Sequence, residues 1–175
     1  MTIDPLIALV ARGALAALML AAAVHKLRDL AAFRQAVEDY RLLPAAIVPP
    51  AVLLVPLAEA TAGIAALLGN PMGLFVIAGL LMLYAIAIGV NLRRGRSSID
   101  CGCFGFGKTG QPINALMVTR NAVLAAIALS IALADVAVRP LLWLDWLGIA
   151  CAIAAVILLY GIMEAAVPQA REIKP

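Results

Sequence analysis

The chain has 175 residues, of which 65% are hydrophobic and 13% charged, and its mean hydropathy is +1.06. Soluble domains have roughly half their residues apolar and about a quarter charged, so this composition excludes a soluble domain and predicts an integral membrane protein. Lysine and arginine number 13 against 10 acidic residues, without the clustered basic stripe that nucleic-acid binding needs. We therefore expect a lipid bilayer around the protein and no nucleic-acid partner.

Five apolar stretches reach the roughly 20 residues that a helix needs to cross a bilayer. They cover residues 6–24, 45–68, 72–92, 113–134 and 141–163. We predict an all-α integral membrane protein, with residues 1–175 forming a single domain. Its five-span transmembrane helix bundle would comprise a four-helix core plus one further helix. Gly69-Asn70-Pro71 predicts a tight turn between the second and third spans. The first stretch lacks a basic leader, which favours a retained helix over a cleaved signal peptide.

The segment between the first two spans, residues 28–43, has a different pattern. Its apolar residues recur at spacings of three and four, as on one face of a helix: Leu30, Phe33, Val37 and Tyr40. We predict a short amphipathic interfacial helix that lies on the membrane surface and ends at Pro44. It is either a plain connector or a cover over the cysteine-containing loop that follows the third span.

That loop, residues 93–112, contains Asp-Cys-Gly-Cys-Phe-Gly at positions 100–105. A disulfide between Cys101 and Cys103 would close a very small ring, far from relaxed disulfide geometry and easily reduced. A disulfide that stabilises a fold instead joins residues distant in sequence. Gly102 has no Cβ and tolerates the backbone angles of such a ring. The motif therefore predicts a redox pair and not a structural crosslink.

Two charged residues lie within the first two spans, where lipid makes an isolated charge costly. Arg12 is about 9 Å along the first helix from Leu6, and Glu59 is roughly 15 Å from the loop end of the second, at 1.5 Å per residue. Measured in this way they lie at a similar depth, so we predict an Arg12–Glu59 pair. It would either join the helices as a satisfied ion pair or let Glu59 handle protons.

A second polar set lies at span ends on the side of the cysteine loop. Its members are His25, Lys26, Arg120 and Asn121. A neighbouring cation lowers the pKa of a cysteine and so favours the reactive thiolate. We expect Arg120, aided by Lys26, to stabilise the thiolate of the cysteine pair. The alternative for Lys26 is a topology-setting charge at the headgroups, and we expect His25 to pack or bind water.

The third cysteine, Cys151, lies in a run of alanine, isoleucine and valine, and we expect it to be a small buried apolar residue. A metal site could use Cys101 and Cys103 as two soft ligands, but structural zinc normally takes four. We therefore predict no metal site. No cofactor is evident, since no flavin, haem or quinone motif is recognisable. A quinone is an option that the sequence does not support.

With five spans, the loops after the first and third spans and the C-terminal tail share one side of the membrane. That side holds most of the cations: Lys26, Arg28, Arg34, Arg41, Arg93, Arg94, Arg96, Lys108, Arg171 and Lys174. In the opposite loops only Arg139 is basic. The positive-inside rule then places the cysteine loop in the cytoplasm, unless some of these cations serve the site and not the topology.

The chain resembles the MauE family, membrane proteins of methylamine utilisation that are related to the broader DoxX-like group. The resemblance rests first on the Asp-Cys-Gly-Cys-Phe-Gly loop and covers most of the chain up to the fourth span. Further matching positions are His25-Lys26, Tyr40 to Pro44, Glu59, Arg93 to Arg96 and Arg120-Asn121. With the residue chemistry above, the candidate catalytic residues are Cys101, Cys103, Arg120, Lys26 and Glu59.

The resemblance implies a multi-pass protein of the bacterial inner membrane that supports disulfide formation or isomerisation in a periplasmic client. Such a client has several disulfides, as in the small subunit of methylamine dehydrogenase, and a periplasmic thioredoxin-like partner of the MauD type is implied too. This role favours a cysteine loop facing the periplasm, against the charge count, and the side stays open. The expected activity is that of a thiol–disulfide oxidoreductase. The alternative is a non-catalytic membrane scaffold, or a subunit of a redox complex, whose cysteines are structural or bind a metal.

Overall fold

A computed structural model describes residues 2–96, 113–137, 139–155 and 158. Its helices are α1 (Pro5–Arg28), α2 (Leu30–Tyr40), α3 (Val48–Leu67), α4 (Pro71–Arg93), α5 (Ala115–Leu133) and α6 (Trp143–Ala155). Two-residue strands, β1 (Thr2–Ile3) and β2 (Asp135–Val136), pair in parallel. Helices α1, α3, α4 and α5 are long and apolar enough to cross a membrane, and α6 is a shorter apolar helix. The predicted all-α membrane helix bundle is confirmed.

Side-chain caps set where three of the long helices begin. Asp4 Oδ1 accepts from Leu6 N at 2.8 Å before α1, and Asn70 Oδ1 accepts from Met72 N at 2.9 Å before α4. Asn114 Oδ1 accepts from Met117 N at 3.0 Å at the start of α5. Each cap satisfies a backbone donor that the first helical turn leaves without an intrahelical partner. Just before Asn70, Gly69 has a φ of +81°, which confirms the predicted tight turn between α3 and α4.

The bundle core lies between α1, α3, α4 and α5. Its largest fully buried apolar side chains include Met19, Leu74, Ile77 and Leu81. Helices α3 and α4 approach closely at Gly73, where an added Cβ would lie 2.5 Å from Ala66 N. Small residues at helix crossings allow the backbone contact that packs helices together in lipid.

The two ends of the bundle differ in what they hold. At one end β1 pairs with β2, and Arg139 Nε lies 3.1 Å from Asp4 Oδ2. At the other end α2 follows α1, and Arg94 reaches the Arg41 carbonyl at 3.5 Å. The segments after α1 and α4 therefore share one end of the bundle, as the five-span arrangement requires. The stretch between Arg96 and Ile113, which includes Cys101 and Cys103, lies outside the described residues.

Helix α2 is the predicted amphipathic helix, somewhat shorter than residues 28–43. Asp29 Oδ1 caps it by accepting from Ala32 N at 2.8 Å. It ends at Tyr40 because Arg41 turns into the left-handed region with a φ of 48°, and not at Pro44 as predicted. Ala36 is buried against the bundle while Arg34 and Glu38 face outward as a 2.8 Å pair. The helix thus packs at one end of the bundle, mainly against α3.

Candidate functional site

Lys26, Glu59 and Tyr84 form a polar cluster inside the bundle. Lys26 comes from the last turn of α1, Glu59 from the middle of α3 and Tyr84 from α4. Lys26 Nζ donates to Glu59 Oε1 at 2.6 Å, and the Tyr84 hydroxyl donates to the same oxygen at 2.6 Å. Three separate helices therefore meet at one carboxylate oxygen.

Burial makes this polar cluster energetically demanding. The side chain of Lys26 is 2% exposed and that of Glu59 0%. An isolated ion in a low-dielectric interior costs several kcal/mol, and the cost is offset only when the partner charge and additional hydrogen bonds are in place. Glu59 Oε1 has both. Glu59 Oε2 is buried and has no hydrogen-bond partner among the residues that the structure describes, so one carboxylate oxygen retains acceptor capacity.

Two aromatic rings complete the surroundings of the lysine. Lys26 Nζ lies 5.5 Å from the centroid of the Phe33 ring on α2 and 5.2 Å from that of Tyr84. Within about 6 Å of a ring centroid, a desolvated ammonium is attracted to the negative ring face. Helix α2 therefore supplies part of the electrostatic environment of Lys26.

Two members of the polar cluster, Lys26 and Tyr84, line a cavity of about 180 Å³ between α2, α3 and α4. Apart from Lys26 and the two tyrosines Tyr40 and Tyr84, its lining is apolar. Representative apolar residues of the lining are Phe33, Val37, Leu43, Val55, Ala87 and Ile88. A largely apolar pocket with a few convergent polar groups is the usual form of a small-molecule site.

The predicted Arg12–Glu59 pair is wrong. Arg12 lies near the opposite end of the bundle, where its Nη1 contacts the Gly69 carbonyl at 3.4 Å just beyond α3. Helices α1 and α3 are antiparallel, so the true register sets Lys26, 14 residues beyond Arg12, opposite Glu59. The prediction ended the first span at residue 24, whereas α1 continues to Arg28 and carries Lys26 into the interior. An arginine at a helix C-terminus is itself favourable, because carbonyls there carry partial negative charge.

The other predicted site residues are placed separately. Arg120 is half-buried on the second turn of α5, at the end of the bundle from which the cysteine segment leaves. Its neighbour Asn121 is 3% exposed. His25 is exposed. Lys26 is no headgroup lysine, because its charge is held by Glu59 inside the protein. The roles assigned to Cys101 and Cys103 fall on residues outside the described ranges.

Cys151 on α6 is exposed, so the prediction that it is buried is wrong. Near it, Ile149 is 6% exposed and Ile153 contacts Gly13 of α1. Helix α6 therefore packs through its isoleucine side and leaves the thiol on the outer side.

Tyr84 is the member of the polar cluster that was not predicted from the sequence. It lies in the third apolar stretch, where a tyrosine attracts little notice among leucine, isoleucine and methionine. Its position near the middle of the span could have indicated a polar contact, because a phenol far from the membrane interface needs a hydrogen-bond partner inside the bundle. Asn91, which is fully buried on the same helix, carried the same signal; its amide donates to the Ala87 carbonyl at 3.1 Å.

Comparison with known proteins identifies the family of the chain. Residues 4–135 match the family model described as methylamine utilisation protein MauE. The chain is 39% identical over 133 residues to the methylamine utilization protein MauE of Paracoccus denitrificans, covering 74% of this chain and 70% of the relative. It is 39% identical over 139 residues to that of Paracoccus versutus (78% and 74% covered) and 37% identical over 131 residues to that of Methylophilus methylotrophus (74% and 69% covered). No solved structure matches. The chain is therefore a multi-pass membrane protein that belongs to the MauE family of methylamine utilisation proteins.

Proposed function

We propose that this protein is a membrane thiol–disulfide redox protein whose Cys101 and Cys103 support disulfide formation or isomerisation in periplasmic clients. The observation that carries the proposal is the Cys-Gly-Cys sequence between α4 and α5 in a chain that is otherwise poor in polar residues. Family membership supports a client in methylamine utilisation, such as the small subunit of methylamine dehydrogenase. It also supports a bacterial inner-membrane location and a thioredoxin-like partner of the MauD type.

The exchange follows ordinary thiol–disulfide chemistry. A thiolate of the partner attacks one sulfur of the Cys101–Cys103 disulfide, and the other sulfur leaves as a thiolate. The second thiolate of the partner then attacks the mixed disulfide and releases the first cysteine. The partner has lost two electrons and two protons, and Cys101 and Cys103 have become a dithiol. Isomerisation instead runs through the same mixed disulfide without net electron transfer.

Thiol trapping on membranes tests the proposal. Membranes treated with oxidant or reductant are alkylated with a high-mass maleimide, and the gel shift reports how many thiols are free. We expect Cys101 and Cys103 to switch together between protected and labelled forms. The matched control is Cys151→Ser, which removes the exposed thiol of α6 and should leave the switch intact. Cysteines locked in one state in every condition would instead favour a non-catalytic scaffold.

A separate experiment tests on which side of the membrane Cys101 and Cys103 lie. Direct exchange with a periplasmic partner requires that they face the periplasm, whereas the distribution of cations predicts that they face the cytoplasm. A Cys151→Ser variant in intact spheroplasts is treated with a membrane-impermeant maleimide after reduction. Labelling of Cys101 and Cys103 without permeabilisation supports direct exchange. Labelling only after permeabilisation excludes direct exchange with a periplasmic partner.

A further inference from the structure

The cavity beneath α2 has a polar wall that a hydrocarbon occupant would leave unused. Lys26 Nζ carries three N–H donors, and its hydrogen bond among the described residues goes to Glu59 Oε1. Lys26 lines the cavity, and its Nζ lies 5.5 and 5.2 Å from the ring centroids of Phe33 and Tyr84, which line the cavity too. An acyl chain there would offer this ammonium no acceptor, at the cost of an unsatisfied buried donor. The wall instead suits an apolar ligand with a carbonyl oxygen at its edge.

The size and lining of the cavity suit a ligand with one six-membered ring. An apolar cavity of roughly 150 Å³ holds benzene in an engineered protein, so the space of about 180 Å³ accommodates one substituted six-membered ring. Phe33 and Tyr84 are aromatic residues of the lining, and aromatic pairs favour ring centroid distances of about 4.5–7 Å. Leu42 and Leu43 in the lining are 36% and 42% exposed, so the cavity reaches the outer surface, where a hydrophobic tail would extend into lipid.

The cavity also lies close to the chain segments that flank the cysteine motif. Ile88 lines the cavity and packs with Ile113 and Met117 at the start of α5. Tyr40, which also lines the cavity, packs against the same cluster. The described residues on both sides of the cysteine segment therefore meet at the cavity end of the bundle.

We propose that this cavity binds the ring of a membrane quinone, with Lys26 donating a hydrogen bond to a ring carbonyl. This proposal rests on the proposed function and names its electron acceptor. Client oxidation leaves Cys101 and Cys103 as a dithiol, and its reoxidation releases two electrons and two protons. The quinone takes up both electrons and both protons and becomes a quinol, while the cysteines regain their disulfide. Glu59 and Tyr84 are positioning residues, since they hold the lysine at the cavity wall.

Binding is measured on the full chain in nanodiscs made from quinone-free phosphatidylcholine, in a Cys101→Ser/Cys103→Ser variant so that no redox step contributes. The probe is decylubiquinone, and decylbenzene is the matched ligand without carbonyl groups. We expect decylubiquinone to bind about tenfold or more tightly than decylbenzene, the scale of one hydrogen bond from a charged donor. Equal binding of the two would show a pocket for apolar chains and overturn the quinone proposal.

A cavity-filling variant locates the binding. Ala51 lines the cavity on α3, whereas Leu53 on the same helix is 51% exposed. Ala51→Phe should weaken decylubiquinone binding about tenfold or more, as expected when a packed site is filled, and Leu53→Phe should not change it. If Ala51→Phe fails to fold, Leu43→Trp fills the cavity from its exposed rim. Unchanged binding in the folded filling variant would overturn the site.

Experiments on the protein with both cysteines present distinguish a failure of the quinone proposal from a failure of the proposed function. Quinol formation from decylubiquinone by the reduced protein supports both. Thiol cycling with a chemical oxidant but no quinone binding overturns the quinone site and leaves the proposed function intact. Quinone binding without any thiol cycling overturns the proposed function and its electron transfer, while the ring site stands as a binding site.

Discussion

Lys26 and Glu59 are 33 positions apart in the sequence, yet Nζ and Oε1 lie 2.6 Å apart in a bundle interior where both side chains are almost completely buried. The pair joins α1 to α3, and Tyr84 adds α4 through the same carboxylate oxygen. A contact of this kind sets the helix register, because sliding either helix by one turn would leave two charges alone in an apolar environment.

The first prediction concerns the two charges of this pair. Lys26→Met and Glu59→Gln should each destabilise the folded protein by about 3–5 kcal/mol, because each removes one charge and leaves the other buried without its partner. The double variant should lose less than the sum of the two. Unfolding in mixed detergent micelles measures this. The exposed Arg34–Glu38 pair is the control, and breaking it should cost about 0–1 kcal/mol. Strictly additive losses at Lys26 and Glu59 would contradict a coupled pair.

The second prediction concerns the phenol of Tyr84. Tyr84→Phe removes the hydroxyl that donates to Glu59 at 2.6 Å and should cost about 1.5–3 kcal/mol, as for a hydrogen bond to a charged group. The same substitution in a Glu59→Gln background should cost clearly less, because the charged acceptor is gone. Equal costs in both backgrounds would mean that the hydroxyl acts through another contact.

The third prediction concerns helix packing at Gly73. A Cβ at this position would meet backbone atoms of α3, with Ala66 N at 2.5 Å and Ala62 O at 2.8 Å. Gly73→Ala should therefore destabilise the bundle by about 1–3 kcal/mol, as overpacking does. Gly79 lies on the same helix with nothing within 4 Å of its added Cβ, and Gly79→Ala should be neutral or slightly stabilising. A similar loss for both alanines would argue against a close α3–α4 crossing.

The fourth prediction concerns pH at the other end of the bundle. The hydrogen bond from Arg139, and then that from the Leu6 amide, lower the pKa of Asp4 from its ordinary 3.8. Its stabilising contribution is therefore complete above the unfolded value of 3.8 and is lost as the pH falls through the lower folded value. Asp4→Asn keeps the helix cap but removes the charge. The difference in thermal stability between wild type and Asp4→Asn should shrink below pH 3.8, and Arg139→Gln should remove most of this pH dependence.

The fifth prediction concerns thiolate stabilisation. Arg120→Gln should slow alkylation of reduced Cys101 and Cys103 at neutral pH and move its pH midpoint upward, because a nearby cation favours the ionised thiol. Arg120→Lys should restore only part of the rate. Since Glu59 compensates the charge of Lys26, the Lys26→Met/Glu59→Gln double variant should leave the midpoint nearly unchanged. An unaltered pH profile in folded Arg120→Gln would assign Arg120 to helix packing.

Much of the architecture was predictable because lipid imposes strong local constraints. A helix that crosses a bilayer must be long and apolar, and so the predicted stretches match α1, α3, α4 and α5 to within a few residues. The turn at Gly69-Asn70-Pro71 follows from backbone geometry alone, and so does the amphipathic pattern of α2. The Cys-Gly-Cys motif and the family resemblance were also visible in the sequence itself.

The partners of the buried polar residues were decided only by the tertiary structure. Apolar periodicity says that a span is a helix, but neither its rotation nor its axial offset against the next helix follows from it. Glu59 could face Arg12 or Lys26 by depth estimates that depend on where each helix ends. In the structure α1 extends to Arg28, and its offset against α3 places Lys26 opposite Glu59. Packing of whole helices, and not the local preference of any residue, therefore brings Lys26, Glu59 and Tyr84 together.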